Sequence, residues 1–210
     1  MKTSLLAFFL LVMTFSASAQ NYKLFNAGSK KVFTTFPDAG VTYSLAFDSV
    51  VVRGADSVYY TYFIPGDELI YTDTCGIEPY LVDSCLPNNK PIWTGHRIER
   101  MNGNQYYFFN REGDTLAFDF RTDSDDELPF YTDELQSFFI DFELSDTLSI
   151  LGVVDSVRIF RILHRDTDGN TINSLLNDQR IVIGKSSGLL KFFHIYDFPS
   201  TLLPLVLVGN

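Results

Sequence analysis

Apolar and polar residues alternate along several stretches of this chain, and this alternation limits the possible folds more than any other feature. In the stretch DTLAFDFR, apolar side chains fall on one side of an extended chain, namely Leu116, Phe118 and Phe120. The stretch VTYSLAFDS repeats the pattern with Tyr43, Leu45 and Phe47. Successive residues of a strand point to opposite faces, so the pattern predicts half-buried strands. Beyond the N-terminus, no segment sustains a helical period.

Further strand-like runs are separated by short turn signals. The 20 Phe and 11 Tyr residues favour strands over helices. Six more runs are predicted as strands: residues 57–64, 94–100, 105–110, 155–163, 179–184 and 189–198. Turns that contain glycine and acidic or amide residues predict hairpins at 53–56, 101–104, 111–114 and 166–170. One short segment, YTDELQSFF at 131–139, is the single helix candidate.

These patterns predict an all-β protein with an antiparallel, meander-rich sheet, because strands joined by hairpins must be antiparallel. The run at 189–198 carries apolar residues on both faces, with Phe192 on one side and Phe193 on the other. A strand of this kind lies in the interior of a sheet. The aromatic residues of QYYFFN cannot all be buried against one flat layer. We therefore expect either a curled sheet or a two-layer sandwich, formed by one β-rich domain at 20–210.

The N-terminus, MKTSLLAFFLLVMTFSASAQ, has the pattern of an export signal. One lysine precedes an apolar run from Leu5 to Phe15, and the small residues Ala17, Ser18 and Ala19 follow. The run is shorter than the roughly 20 residues of a membrane-spanning helix, which argues against an anchor. No cysteine follows it, so there is no lipoprotein site. The sequence predicts a signal peptide at 1–19 and an exported chain without an integral membrane span.

The charge of the chain limits its partners. Removal of the predicted signal takes away one lysine and no acidic residue, which leaves 15 basic against 26 acidic residues and a net charge of −11. A negatively charged chain repels the phosphate backbone, and no basic cluster with interleaved aromatics offsets this. We therefore expect no nucleic-acid partner and no adhesion to anionic membranes.

Cys75 and Cys85 are the two cysteines of the chain. An exported protein meets an oxidising medium, where an even number of closely spaced cysteines predicts a disulfide. The alternative is half of a metal site, but the spacing differs from zinc motifs and no second pair exists.

The segment GKSSG contains Gly184-x-Ser186-x-Gly188, the spacing of the nucleophile elbow of α/β-hydrolases. The elbow needs a helix after the serine, whereas LLKFFHIYDF is a strand-like run. His194 follows eight residues later without an intervening acid. We therefore predict a hairpin turn with a positive φ at Gly188, and no nucleophile at Ser186.

Two acidic segments are candidates for calcium sites. Residues Asp166 to Asn170 lack the glycine and glutamate positions of an EF-hand loop, so they predict a hairpin turn. The loop from Asp123 to Glu127 also contains Asp125 and Asp126. Clustered carboxylates suit calcium, but runs of acids are more often solvated loops, and calcium binding there stays open.

The remaining candidates for a site are the histidines and the single tryptophan. His96, His164 and His194 stand apart in sequence without an adjacent ligand or nucleophile, which favours structural roles. Trp93 could stack on a sugar or another ring, but a position in the core or as a sheet-edge anchor is favoured. We therefore assign no catalytic, metal-binding or cofactor-binding residue, and no cofactor.

Three blocks together resemble a known group of proteins: WTGHRIERMNGNQYYFFNREGDTLAF, LGVVDSVRIFRILHRDTDGNTINSLLNDQRIVIGKSSGLLKFFHIYDFP and LVLVG. They are similar to the N-terminal region of uncharacterised secreted proteins from bacteria with a type IX secretion system. The resemblance implies a C-terminal sorting domain, yet the sequence stops at Asn210, right after LLPLVLVG. Either the chain is truncated or this member stays in the periplasm.

The predicted export signal, the β-rich domain and the lack of an assigned catalytic residue together lead to an expected function. We expect a non-catalytic secreted or cell-surface module whose partner is an unknown protein or glycan. The location is extracellular or at the cell surface, or alternatively periplasmic. The alternative function is a carrier that holds an apolar ligand inside a curled, aromatic-lined sheet.

Overall fold

The computed structural model describes residues 22–26, 28, 30–35, 42–61, 63–64, 70–71, 80–81, 90–91, 93–95, 97–121 and 126–209. The predicted signal peptide at 1–19 lies outside them. The described residues form strands, turns and loops without a helix, so the predicted all-β class is confirmed. No helix in these ranges is long and apolar enough to cross a bilayer.

The strands form two main sheets and two short pairs. In chain order they are β1 (Lys31–Thr35), β2 (Thr42–Leu45), β3 (Phe47–Arg53), β4 (Asp56–Thr61), β5 (Phe63–Ile64), β6 (Ile70–Tyr71), β7 (Tyr80–Leu81), β8 (Lys90–Pro91), β9 (Arg97–Met101), β10 (Gln105–Phe109), β11 (Thr115–Asp119), β12 (Leu128–Thr132), β13 (Gln136–Ile150), β14 (Val153–Asp166), β15 (Arg180–Gly184), β16 (Gly188–Phe193) and β17 (Pro204–Gly209). The eight-stranded sheet has the order β12-β13-β14-β15-β16-β17-β1-β2, and the five-stranded sheet has the order β11-β10-β9-β4-β3.

The pairing within both main sheets is antiparallel, as the hairpin signals predicted. The turns at 53–56, 101–104 and 111–114 join neighbouring strands of the five-stranded sheet. The run from β12 to β17 forms a continuous meander, to which β1 adds beside β17. Strand β16 lies between β15 and β17, which confirms the predicted interior position.

The two main sheets pack face to face through aromatic side chains. The ring of Phe192 on β16 lies 5.4 Å from those of Phe108 and Phe118 in the other sheet. The rings of Phe120 and Phe160 are 5.2 Å apart. Such edge-on and tilted contacts are the arrangements that aromatic rings prefer. Of the two architectures expected, the structure therefore has the two-layer sandwich.

The segment before β1 enters this interlayer space. Phe25 makes edge-on contacts with Tyr59 and Tyr106, at ring distances of 5.5 and 6.1 Å. The backbone N–H of Leu24 donates to the hydroxyl of Tyr106 over 3.2 Å. Burial raises the pKa of Tyr106 to about 12, although this hydrogen bond opposes the shift. The N-terminal segment is thus part of the core.

The helix predicted at 131–139 is wrong, because these residues form the β12–β13 hairpin. The carboxylate of Asp133 accepts hydrogen bonds from the N–H groups of Leu135 (2.8 Å) and Gln136 (3.0 Å). An aspartate can open a helix in this way, but here the bonds close a tight turn. The aromatic residues before and after this turn belong to strands β12 and β13.

Four strand predictions also need correction. The run at 57–64 is divided between β4, in the five-stranded sheet, and β5, which pairs with β8 in a separate sheet. VTYSLAFDS is divided at Ala46, with β2 in the larger sheet and β3 in the smaller one. Strand β9 begins at Arg97, because Trp93 and Thr94 form a turn. Strand β16 ends at Phe193, and there the rings of Phe192 and Phe193 stack at 4.8 Å rather than facing opposite sides. The pairing of β15 with β16 is irregular just before these residues, because its register shifts between Val182 and Ile183.

Candidate functional site

Ser186 lies in the hairpin turn between β15 and β16, as predicted from the poor helix propensity of the following residues. The N–H groups of Ser186 and Ser187 donate to the carboxylate of Asp155 over 3.0 and 2.8 Å. A Cβ at Gly184 would lie 2.5 Å from that carboxylate. Gly188 has a φ of +67°, and a Cβ there would lie 2.5 Å from the carbonyl oxygen of Leu24. Close packing therefore explains why glycine occupies both positions, since a side chain at either would clash with a neighbouring oxygen.

Lys31 and Asp155 form a buried polar cluster around this turn. The Lys31 ammonium donates to the carbonyl oxygens of Ser187 and Leu189, the latter over 3.1 Å. Burial lowers the pKa of Lys31 to about 8, and the nearby charge of Asp155 offsets part of that shift. Burial would raise the pKa of Asp155, but hydrogen bonds from Ser187 and Ser186 outweigh it and lower that pKa. The cluster ties the turn to β1.

His164 has hydrogen-bond partners that sequence reasoning missed. Its Nδ1 lies 2.8 Å from the hydroxyl of Ser174, and its Nε2 lies 2.8 Å from Oε1 of Gln136. The Gln136 amide in turn donates to Asp133 over 3.2 Å. The Ser174 hydroxyl also accepts the N–H of Asn177 over 3.3 Å, as a turn-capping serine does. No local pattern signals this contact, because the loop returns to β14 only in the folded chain.

The surroundings of His164 favour a structural role. The side chain is buried and stacks on Phe138 with a ring distance of 3.9 Å. Burial lowers the pKa of His164, and the charge of Asp133 opposes the shift. A neutral ring that donates to Gln136 and accepts from Ser174 satisfies both nitrogens. The serine–histidine distance suits catalysis, but both groups serve to hold the loop at 171–178 against β14.

His194 and Trp93 also take structural positions. His194 is buried, and its ring lies edge-on to Tyr43 at 5.5 Å. Burial lowers its pKa, which the charge of Asp197 partly offsets. Trp93 is 3% exposed, and its indole N–H donates to the carbonyl oxygen of Ser44 over 3.1 Å. The favoured core position of Trp93 is confirmed, whereas His96 lies outside the described residues.

The other predicted site residues are placed only in part. Glu127 pairs with Arg165 over 2.6 Å, while Asp123 and Asp125 of the same acidic loop lie outside the described residues. The N–H groups of Asp168 and Asn170 donate to the Asp166 carboxylate, which confirms the predicted turn. In the described ranges, no three histidine, cysteine or acidic residues converge on a possible metal position. Cys75 and Cys85 are outside the described residues.

The outer face of the five-stranded sheet is the strongest candidate for a ligand surface. On β9, β10 and β11, buried and less buried residues alternate without interruption. The inner residues pack in the sandwich, so the others point outward. We call this surface the aromatic face, and it comprises Val51, Val58, Tyr60, Arg97, Glu99, Met101, Gln105, Tyr107, Phe109, Thr115, Ala117 and Asp119.

Strand register brings three aromatic residues together on this face. Tyr60 pairs with Arg97 across β4 and β9, and the Arg97 guanidinium lies 4.5 Å from the ring centre of Phe109. Tyr107 is paired with Glu99 on β9 and with Ala117 on β11. Tyr60 is 43% exposed, and Tyr107 and Phe109 are half-buried. Among the described residues, neither tyrosine hydroxyl has a hydrogen-bond partner.

The charges of the aromatic face neutralise one another. Arg97 pairs with Glu99 over 3.0 Å. Asp119 accepts from Arg121 over 2.8 Å and from the Gln105 amide over 3.4 Å. These pairs are exposed to solvent on at least one side, so their contribution to stability is small. Their carboxylate oxygens and guanidinium groups nevertheless offer hydrogen bonds to a bound molecule.

A second exposed apolar group lies at the tip of the β13–β14 hairpin. Leu151, Val153 and Val154 are 53%, 60% and 71% exposed. Leu151 and Gly152 occupy the turn with φ values of 49° and 82°. The exposed side chains of this tip are aliphatic, unlike those of the aromatic face.

Comparisons with protein-family models, with curated proteins and with solved structures give no match to this chain.

Proposed function

We propose that this protein is an exported, non-catalytic binding module that holds its ligand on the aromatic face. The observation that carries the proposal is the convergence of Tyr60, Tyr107 and Phe109 on one solvent-facing sheet surface. Exposed apolar groups surrounded by polar ones mark interaction surfaces. The aromatic rings of this face add nothing to the interlayer core, so their use lies elsewhere.

The absence of a catalytic role is supported by how the reactive side chains are used. Ser186 lies in a turn that is held by Asp155, and the partners of His164 hold a loop. A catalytic base must reach a substrate, whereas His164 and His194 are both buried. The contacts between rings across the two sheets also favour a binding module over a carrier with an aromatic-lined cavity.

Binding to cells tests this function directly. We expect labelled mature protein to bind saturably to cells of the bacterium that produces it, after deletion of its own gene. The double variant Tyr60→Ser/Tyr107→Ser should bind about tenfold more weakly, because it loses two aromatic contacts. Equal binding by this variant and the wild type would refute the proposal.

A matched control comes from the larger sheet. Phe139 on β13 is half-buried, and the Arg165 guanidinium lies 5.4 Å from its ring centre. Both contacts place an arginine guanidinium over a half-buried phenylalanine ring, but Phe139 belongs to the eight-stranded sheet and is not part of the aromatic face. Phe139→Ala should therefore bind cells as the wild type does. Urea titration of each variant checks that a loss of binding is not a loss of folding.

Export and the disulfide belong to the same proposal. The short apolar run and the small residues at 17–19 support cleavage before Gln20, and the resemblance to type IX secreted proteins supports a surface location. N-terminal sequencing of the protein from fractionated cells tests cleavage, and an uncleaved cytoplasmic protein would refute export. Thiol counting on the denatured, unreduced protein tests the Cys75–Cys85 bond, for which we expect no free thiol.

A further inference from the structure

We propose that the ligand of the aromatic face is an uncharged polysaccharide chain. This inference rests on the proposed function and specifies its ligand class. Sugar rings combine an apolar C–H surface with a rim of hydroxyl groups. They are therefore matched by a surface that alternates aromatic rings with polar side chains, as the aromatic face does.

The spacing of the aromatic residues suits an extended chain of rings. Tyr60 on β4 and Phe109 on β10 are separated by β9, which places them about 10 Å apart. Tyr107 and Phe109 project from the same side of β10 at a distance of about 7 Å along the strand. The negative face of an aromatic ring attracts C–H groups, so each residue offers one stacking position.

Polar groups accompany each stacking position. Arg97 lies between Tyr60 and Phe109, and its partner Glu99 lies beside Tyr107. Gln105 and Asp119 form the next cross-strand pair. Amide, guanidinium and carboxylate groups in such positions can exchange hydrogen bonds with vicinal hydroxyls without a change of charge.

The charge of the face selects against charged polymers. Arg97 is neutralised by Glu99, and Arg121 is neutralised by Asp119. The whole chain is acidic, with a net charge of −10 over its full length, so a polyanion gains no attraction. A polycation would be drawn to the whole surface, and would not depend on three aromatic residues.

The size of the face favours a polysaccharide over a folded protein. Five strands of about five residues cover roughly 400 Å², given the usual strand spacing and rise. A stable protein interface buries about 800 Å² on each partner. A narrow linear polymer fits the available surface, whereas a folded protein would have to extend well beyond it.

Affinity electrophoresis provides the direct test. The mature protein is run through native gels that contain hydroxyethyl cellulose, xylan, galactomannan or amylose, and through gels with the polyanion alginate. We expect retardation by at least one neutral polymer, unchanged by added sodium chloride because no net charge is involved. Tyr60→Ser/Tyr107→Ser should lose about tenfold in affinity, and Phe139→Ala should migrate as the wild type. Retardation by alginate alone, or by none of the polymers, would overturn the inference.

Pretreatment of the cells separates this inference from the proposed function. Periodate cleaves vicinal diols, so oxidation of the cells should abolish binding, whereas protease treatment should leave it intact. If binding depends on the aromatic face but is lost only after protease treatment, the ligand is not a polysaccharide, whereas the proposed binding function still holds. Binding that is independent of Tyr60 and Tyr107 would overturn both.

Discussion

The two sides of strand β10 carry the same kinds of side chain in different surroundings. Tyr106 and Phe108 point into the sandwich and are 1% and 0% exposed. Tyr107 and Phe109, their immediate neighbours, lie on the aromatic face and are half-buried. Each side thus has one tyrosine and one phenylalanine, so residue type alone does not separate a core from a surface.

The difference lies in what each ring contacts. Phe108 touches rings of both sheets, at 5.4 Å from both Phe118 and Phe192. Tyr106 accepts a buried hydrogen bond from Leu24. On the outer side, Phe109 contacts the Arg97 guanidinium, whose charge keeps contact with water. The inner pair therefore stabilises the fold, whereas the outer pair remains available to a ligand.

The largest effect should follow from truncation of the inner phenylalanine. Phe108→Ala is expected to lower the free energy of unfolding by about 3 to 5 kcal/mol, because it leaves a cavity between the sheets. Phe109→Ala, one residue later, should cost about 1 kcal/mol or less. Urea titration of both variants measures this difference, and equal losses would remove the distinction between the two sides.

A buried and an exposed cation differ in the same way as the inner and outer aromatic residues. Lys31 is buried with a pKa near 8, below its usual 10.5, whereas Arg97 is exposed. Between these pH values the unfolded chain binds the Lys31 proton more strongly than the folded chain. Stability from this group therefore rises with pH through this window and is lost as pH falls through 8.

The free energy of unfolding of the wild type, relative to Lys31→Met, should thus increase by about 2 kcal/mol from pH 7 to pH 10. Taking the difference removes the titration of tyrosines common to both proteins. Urea titrations at pH 7, 8.5 and 10 test this, and a difference that does not change with pH would contradict burial of the lysine.

Removal of an outer tyrosine should affect binding without a matching loss of stability. Tyr107→Ser is expected to cost about 1 kcal/mol or less in unfolding free energy, while it removes one stacking position from the aromatic face. The paired measurements are a urea titration and affinity electrophoresis. A large loss of stability with unchanged binding would reverse the roles that we assign to the two sides.

The smallest effect should come from the exposed ion pair. Arg97→Gln is expected to change the free energy of unfolding by less than about 0.5 kcal/mol, because exposed pairs stabilise little. The shorter amide should still weaken ligand binding measurably, since it loses the contact with Phe109. A thermal melt resolves the first quantity, and unchanged retardation by the polysaccharide gel would exclude Arg97 from the site.

Most strand positions were predictable because hairpin turns and alternation are local signals. The prediction failed at Asp133, where an aspartate that could begin a helix closes a turn instead. It also failed at Ala46, where the chain passes from one sheet to the other without a turn signal. The contact between His164 and Ser174 was missed because a loop fold, and not a local pattern, creates it.

The candidate site was only partly visible in the sequence. The alternation of QYYFF separated two sets of aromatic residues, but it did not indicate which set faced the second sheet. Tyr60 and Phe109 are far apart in the chain and meet on one face only through the pairing of β4 and β10 with β9. Trp93, the residue considered for ring stacking, is buried in the core instead.

The sequence by itself determined that this chain forms antiparallel strands and where most of them turn. These properties depend on side-chain alternation and on turn residues a few positions apart, which act before distant parts of the chain meet. Only the tertiary structure decided which sheet each strand joins and which aromatic residues remain outside. That choice depends on burial of one face of each sheet against the other, an interaction between residues distant in the chain.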